Sequence, residues 1–181
     1  MYSCHIFRSN LPVYDMVIGI TGLDMARRMK SGSTTWNYAT AGYSYIGGAC
    51  TRNSLLKKIS SVALVEDSGA YSGVIVTAHE IGHLLGASHD GDVAPRYLGG
   101  TGGRDCPWED GYIMSDMRRT ARGLHWSKCS LKSMQQFLKS SRASCLNNHP
   151  RYLLKISFFL WLSNLVSERT NISCRDQKFH L

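Results

Sequence analysis

Apolar residues fall along this chain in short groups of differing spacing, and the spacing predicts which element each group forms. Residues Tyr14 to Thr21 (YDMVIGIT) make a compact, partly β-branched run that ends in the turn-forming pair Thr21 and Gly22, which predicts a buried strand. Ser61 to Glu66 (SVALVE) has the same character and runs into the turn signal Asp67, Ser68, Gly69, so a second strand is expected there. From Tyr71 to Leu85 the period changes. Val74, Ala78, Ile81 and Leu85 recur at spacings of four and three with no proline between them, predicting an amphipathic helix closed by Gly86. A further helix is expected from Ser130 to Ser144, with Leu131, Met134 and Leu138 on one face, Phe137 beside them, and Ser127 or Ser130 as N-cap.

The stretches between these groups lack a period. Lys30 to Gly48 is rich in Gly, Ser, Thr and Tyr and reads as a long surface loop. Asp90 to Arg122 is dominated by Gly, Asp, Pro and Arg and reads as loop with at most one turn of regular structure. Tyr152 to Val166 is apolar but interrupted by Lys155, Ser157, Ser163 and Asn164, too short and too polar for a membrane span. The 181 residues suffice for one core, divisible into two lobes around a cleft, and 43% hydrophobic against 19% charged residues excludes wholesale disorder.

Charge and cysteines narrow the setting. The formal net charge of +8 comes from scattered pairs such as Arg27 and Arg28, Lys57 and Lys58, and Arg118 and Arg119. No basic helix or aromatic-interleaved stripe appears, so no nucleic-acid partner is expected. The six cysteines, at 4, 50, 106, 129, 145 and 174, form no CxxC pair, which points to disulfides and an oxidising, extracellular compartment. On their own they permit about fifteen connectivities.

Residues 79 to 90 carry the chemistry. They read HEIGHLLGASHD, a fit to HExxHxxGxxH that average residue usage would produce in on the order of one in 10^5 chains of this length. On a helix His79 and His83 lie one turn apart on the same face and can reach one ion. Glu80 stands beside them, placed to take a proton from the water that the metal activates without ligating the metal itself. Gly86 permits a sharp turn that swings His89 round as a third ligand. A lone buried histidine is more often a hydrogen-bonded core residue than a ligand, but three at this spacing with a fourth position open describe a catalytic zinc site.

At these residues the chain resembles the metzincin zinc peptidases, in which a methionine-containing turn follows the long motif. Tyr112-Ile113-Met114-Ser115 fits that turn, and the resemblance assigns Met114 a supporting place beneath the metal. Asp90, directly after His89, looks like the mark of the reprolysin or adamalysin group, which includes snake-venom metalloproteases and the ADAM proteins. GGAC at 47 to 50, SVALVEDSG at 61 to 69 and SCLNNHP at 144 to 150 look like landmarks of the same group. CPWEDGYIMSD at 106 to 116 is similar to the reprolysin-like salivary metalloproteases of ticks. The resemblance covers about Leu11 to Pro150. It implies disulfides joining Cys50 to Cys145 and Cys106 to Cys129, a calcium ion held by Asp15 and Asn148, and a substrate lying extended along an edge strand near Val62 to Glu66. Cys4 and Cys174 fall outside it and are given no partners.

The expected molecule is therefore an α/β (α+β) metzincin catalytic domain, with a mixed, mainly parallel sheet, an active-site helix and a small irregular C-terminal lobe. Residues 11–150 form it, the upper lobe reaching about residue 89 and the lower lobe filling 90–150; residues 1–10 are an unmatched segment and 151–181 an unassigned tail. The strand and long helix that the resemblance implies ahead of Tyr14 are not in the sequence, and the opening MYSCHIFRSNLP has no apolar signal run, so an N-terminally truncated chain is expected, either a fragment of a longer secreted precursor or a start codon placed inside the true reading frame. The expected activity is zinc-dependent hydrolysis of peptide bonds in extracellular matrix or plasma proteins. The alternative is a catalytically impaired, truncated scaffold that acts as a binding protein. The sequence sets no oligomeric state.

Overall fold

The computed structural model describes residues 14–29, 34–53, 55–56 and 58–147, together with the backbone of two strands at 2–6 and 172–176. In chain order the strands are β1 (Tyr2–Ile6), β2 (Val17–Thr21), β3 (Arg27–Arg28), β4 (Trp36–Asn37), β5 (Gly42–Ser44), β6 (Arg52–Asn53), β7 (Lys58–Ile59), β8 (Val62–Glu66) and β9 (Ile172–Asp176). The helices are α1 (Gly73–Leu84) and α2 (Lys128–Leu138), with 3-10 turns at Trp108–Asp110, Ala121–Leu124 and Ser141–Asn147.

A mixed three-stranded sheet of order β2-β8-β5 positions the site. β2 runs parallel to β8, with Val17 opposite Val62, and β5 runs antiparallel to it, with Gly42 opposite Val65 and Ser44 opposite Ala63. Val62, Ala63 and Val65 are buried, so the apolar, β-branched run that predicted a strand becomes the middle of the sheet. This corrects two expectations. Val62 to Glu66 is not an edge, because β2 and β5 pair with it on its two sides and take the place a substrate strand would need. The stretch from Lys30 to Gly48 is not all loop either: it contains β4 and β5, and β5 supplies the outer strand of the sheet.

α1 packs on β8 and β5. It begins two residues later than its periodicity suggests, because Ala70 and Tyr71 take left-handed φ values of 51° and 63°. Its buried residues are Gly73, Val76, His79, Glu80, Gly82, His83 and Leu84, whereas Val74 is 64% exposed. The hydrophobic period found only part of the buried face: Ala78 and Leu85 pack on the core while Val74 does not, and the motif's polar side chains take up much of the rest. The C-terminal end is closed thoroughly. Gly86 adopts φ 98°, its N–H donates to the His83 carbonyl and the Ala87 N–H donates to the Gly82 carbonyl, the paired bonds of a Schellman ending. Gly47 and Ala49 N–H groups, just after β5, donate to the carbonyls of His83 and Leu84. The last turn of the helix is stitched to the sheet by main-chain bonds.

α2 is capped by Ser127, whose Oγ accepts from the Ser130 N–H. It ends at Leu138, short of the expected Ser144, and a 3-10 turn takes over. Its buried face is Cys129, Ser130, Met134 and Phe137, while Leu131 and Leu138 are about half exposed. One core cluster joins Ala49, Ala63, Leu84, Phe137 and Ala143 across sheet, α1 and α2; another joins Ala87, Ile113, Met114 and Met134. Disulfides tie Cys50 to Cys145, 95 residues apart, and Cys106 to Cys129 across the loop-rich part. Closing such loops typically contributes about 2–4 kcal/mol each.

β1 and β9 pair antiparallel with Cys4 opposite Cys174 in register. The apolar run at 152 to 166 lies outside the described residues. Among the described residues no helix is long and apolar enough to cross a membrane.

Gly86 is where helix ending and core meet, because a Cβ there would lie 2.8 Å from Phe137 Cβ as well as at unfavourable φ. Gly86→Ala is therefore expected to lower stability by about 2–3 kcal/mol, read as a fall in the urea midpoint; an unchanged midpoint would contradict this account of the turn.

Candidate metal centre

The site is assembled on the C-terminal half of α1 and the turn that leaves it. His79 and His83 project from the buried face of the helix, and the Gly86 turn returns the chain so that His89 meets them. The His89 Nε2 lies 3.2 Å from the Nε2 of both His79 and His83.

The hydrogen bonds on the other ring nitrogens decide what these contacts are. His79 Nδ1 is 2.7 Å from the Ile113 carbonyl oxygen and His83 Nδ1 is 2.8 Å from the Ala87 carbonyl oxygen. A carbonyl only accepts, so each Nδ1 must carry the hydrogen and each Nε2 presents a lone pair. His89 Nδ1 faces the Asp92 carboxylate at 3.4 Å, which favours the same tautomer. Three lone pairs then converge on one point, an arrangement that cannot be satisfied by hydrogen bonds among the rings. Tetrahedral zinc with bonds of about 2.0–2.1 Å to nitrogen sets its ligand atoms about 3.3–3.4 Å apart, close to the observed spacing. Spacing, tautomers and donor type all fit a zinc ion. Among the described residues this is the one group of three or more potential ligands of the His, Cys, Asp or Glu type.

Burial sharpens the same preference. It pushes His79 down to about 4, outweighing the opposing Ile113 hydrogen bond. It pushes His83 down to about 3, with His79 adding to the effect. Both rings therefore stay neutral near pH 7.

Glu80 is 4% exposed and is turned toward β5, where the Ser44 hydroxyl lies 2.5 Å from its Oε2. Burial pushes its carboxyl up to about 7 against the lowering pull of that Ser44 bond. A carboxyl so placed can take and return a proton near neutrality. Met114 is fully buried beneath the helix, against Gly82, where a Cβ would come within 2.8 Å of the methionine sulfur. Asp90 is buried as well: its N–H donates to the Met114 carbonyl, and its Oδ1 accepts from Ser127 Oγ at 2.6 Å at the start of α2. One residue thus joins the third histidine, the methionine turn and the second helix.

Three contributors were not singled out in the sequence. Ser44 reaches Glu80 across 36 positions, and no local pattern announces it. Arg118 donates from Nη1 to the Ile113 carbonyl at 3.1 Å, sharing that acceptor with His79. Asp92, three residues past His89, could have been suspected from its closeness to a ligand. Of the calcium pair, Asp15 lies just ahead of β2 and its carbonyl accepts from the Cys50 N–H, whereas Asn148 lies outside the described residues.

A mixed sheet carrying a long-motif helix, with a methionine turn below three converging imidazoles, defines the metzincin class of zinc metalloproteases. Within it, the model of the Reprolysin (M12B) family zinc metalloproteases matches residues 24–150, and the chain belongs to that family. It is 53% identical over 147 residues to "A disintegrin and metalloproteinase with thrombospondin motifs like" of Bombyx mori, covering 81% of this chain and 21% of that protein. It is 34% identical over 137 residues to "A disintegrin and metalloproteinase with thrombospondin motifs 13" of Homo sapiens, covering 76% and 8%. With "Venom metalloproteinase 3" of Eulophus pennicornis the figures are 33% over 103 residues, covering 56% and 24%. The chain thus spans less than a quarter of the length of each of these relatives.

The shifted groups fix how the chain stripped of metal responds to acid. Unfolded imidazoles protonate below about 6.5, whereas the folded ones resist until about 4 and 3, so between these limits the unfolded chain binds more protons and stability rises with pH. Glu80, raised from 4.5 to about 7, favours the fold as pH falls through that window, but it is one group against two. The thermal midpoint of the stripped chain is expected to fall as pH is lowered from about 6.5 to about 4.5. A rising midpoint over that range would overturn the burial of the two histidines.

Proposed function

We propose that this chain is the catalytic domain of a secreted zinc endopeptidase, spanning residues 11–150, with His79, His83 and His89 as metal ligands and Glu80 as catalytic base. The observation that carries the reading is the convergence of three Nε2 lone pairs at a helix that also carries a buried carboxyl, next in sequence to His79. A zinc ion in this place supplies a Lewis acid that acidifies a water and polarises the scissile carbonyl. Glu80 accepts the proton released by that water and delivers it to the leaving amine. Met114 supports the helix that carries the ligands.

The substrate lies extended along the outer edge of β5. That strand pairs with β8 on one side, and its other side offers main-chain groups to an added peptide strand next to Glu80. Main-chain pairing there tolerates varied side chains, which suits an enzyme acting on extracellular matrix or plasma proteins. Secretion is supported by the disulfides and by relatives named as venom proteins. A calcium ion at Asp15 and Asn148 rests on the family resemblance alone.

The test is cleavage of a denatured protein by the zinc-loaded chain. Glu80→Gln is expected to lower kcat/KM by about 10^2- to 10^4-fold while zinc stays bound, since the general base is lost and the ligands are kept. A chelator should abolish activity. Equal cleavage by wild type, variant and chelated samples would reject the peptidase reading.

A further inference from the structure

We propose that Ser44 is a positioning residue for the catalytic base, fixing the Glu80 carboxyl through its hydroxyl. The proposal rests on the peptidase reading above and assigns to that site a residue outside the metal-binding motif.

The geometry points to a cradle built for a carboxyl. Gly42 and Ser44 stand two apart on β5 and so project on the same face, toward α1. A Cβ at Gly42 would collide with Glu80 Oε1 and lie 2.9 Å from Glu80 Cδ, so the missing side chain is the space the carboxyl fills. Ser44 supplies the donor, with its Oγ 2.5 Å from Glu80 Oε2 and 3.1 Å from the Glu80 main-chain carbonyl. Ser44 is the side-chain hydrogen-bond donor that this carboxyl meets.

The two acceptors of the Ser44 hydroxyl belong to the same residue, so the hydroxyl ties Glu80 to β5 through both the side chain and the main chain. With Oε2 held by Ser44 and Oε1 seated over Gly42, the plane of the carboxyl is fixed against β5. Ser44 also belongs to the strand on which the substrate is proposed to pair, so base and peptide are registered against the same three residues of backbone.

The test uses the zinc-loaded full chain. Ser44→Ala is expected to lower kcat about tenfold, the scale of one lost hydrogen bond to a charged group, with KM and zinc content unchanged because the side chain faces the helix. Ser44→Thr, which keeps the hydroxyl on a strand-compatible side chain, should restore most of kcat. Crystal structures should show one Glu80 carboxyl orientation in wild type and more than one in Ser44→Ala. Wild-type kcat in Ser44→Ala overturns the proposal, as does a loss that Ser44→Thr does not restore or that tracks lost zinc. An active wild type with an unaffected Ser44→Ala rejects this role alone, whereas an inert zinc-loaded wild type rejects the peptidase reading and this proposal with it.

Discussion

Two main-chain carbonyls, those of Ile113 and Ala87, impose the chemistry of this molecule. By accepting from the Nδ1 hydrogens of His79 and His83 they fix both tautomers, so that Nε2 lone pairs are forced toward the point where His89 also aims. In a buried setting, lone pairs facing one another without hydrogens are unfavourable, and a bound cation relieves them. Each carbonyl is in turn held by the fold. Ala87 sits one residue past the Gly86 turn, and Ile113 belongs to the methionine turn, whose neighbour Met114 is pressed against Gly82.

Much of the surrounding structure serves to hold those two acceptors still. The helix ending is bonded to the loop after β5, that loop is tied through Cys50 to the segment after α2, and α2 is capped at a serine that also binds Asp90. Asp90 closes the circuit by donating to the Met114 carbonyl. A substitution in any of these links is transmitted to ring orientation, because His79 and His83 are aimed by main-chain groups and not by flexible side chains.

The histidine cluster was readable in the sequence because its members are local: a helix turn fixes the spacing of His79 and His83, and only a residue tolerant of positive φ at 86 returns the chain quickly enough for His89. Gly86 and the Ser127 cap were readable for the same reason. What escaped was non-local. Gly42, Tyr43 and Ser44 have no strand period, and they form β5 only because β8, about twenty positions on, offers its antiparallel edge. That pairing also removed the free edge expected at Val62 to Glu66. Hydrophobic period located the faces of both helices only in part, since Met134, Phe137, Ala78 and Leu85 pack inward as expected while Val74 and Leu131 stay exposed and histidine, glutamate and serine are buried. Polar residues committed to a site are the ones that a hydropathy pattern reads backwards.

X-ray absorption at the zinc edge of the loaded chain tests the central assignment most directly, since it reports donor type, number and distance together. Three convergent imidazoles with one open position predict three nitrogen neighbours at about 2.0–2.1 Å and a single exchangeable oxygen. A sulfur neighbour, or four protein donors with no exchangeable oxygen, would contradict it.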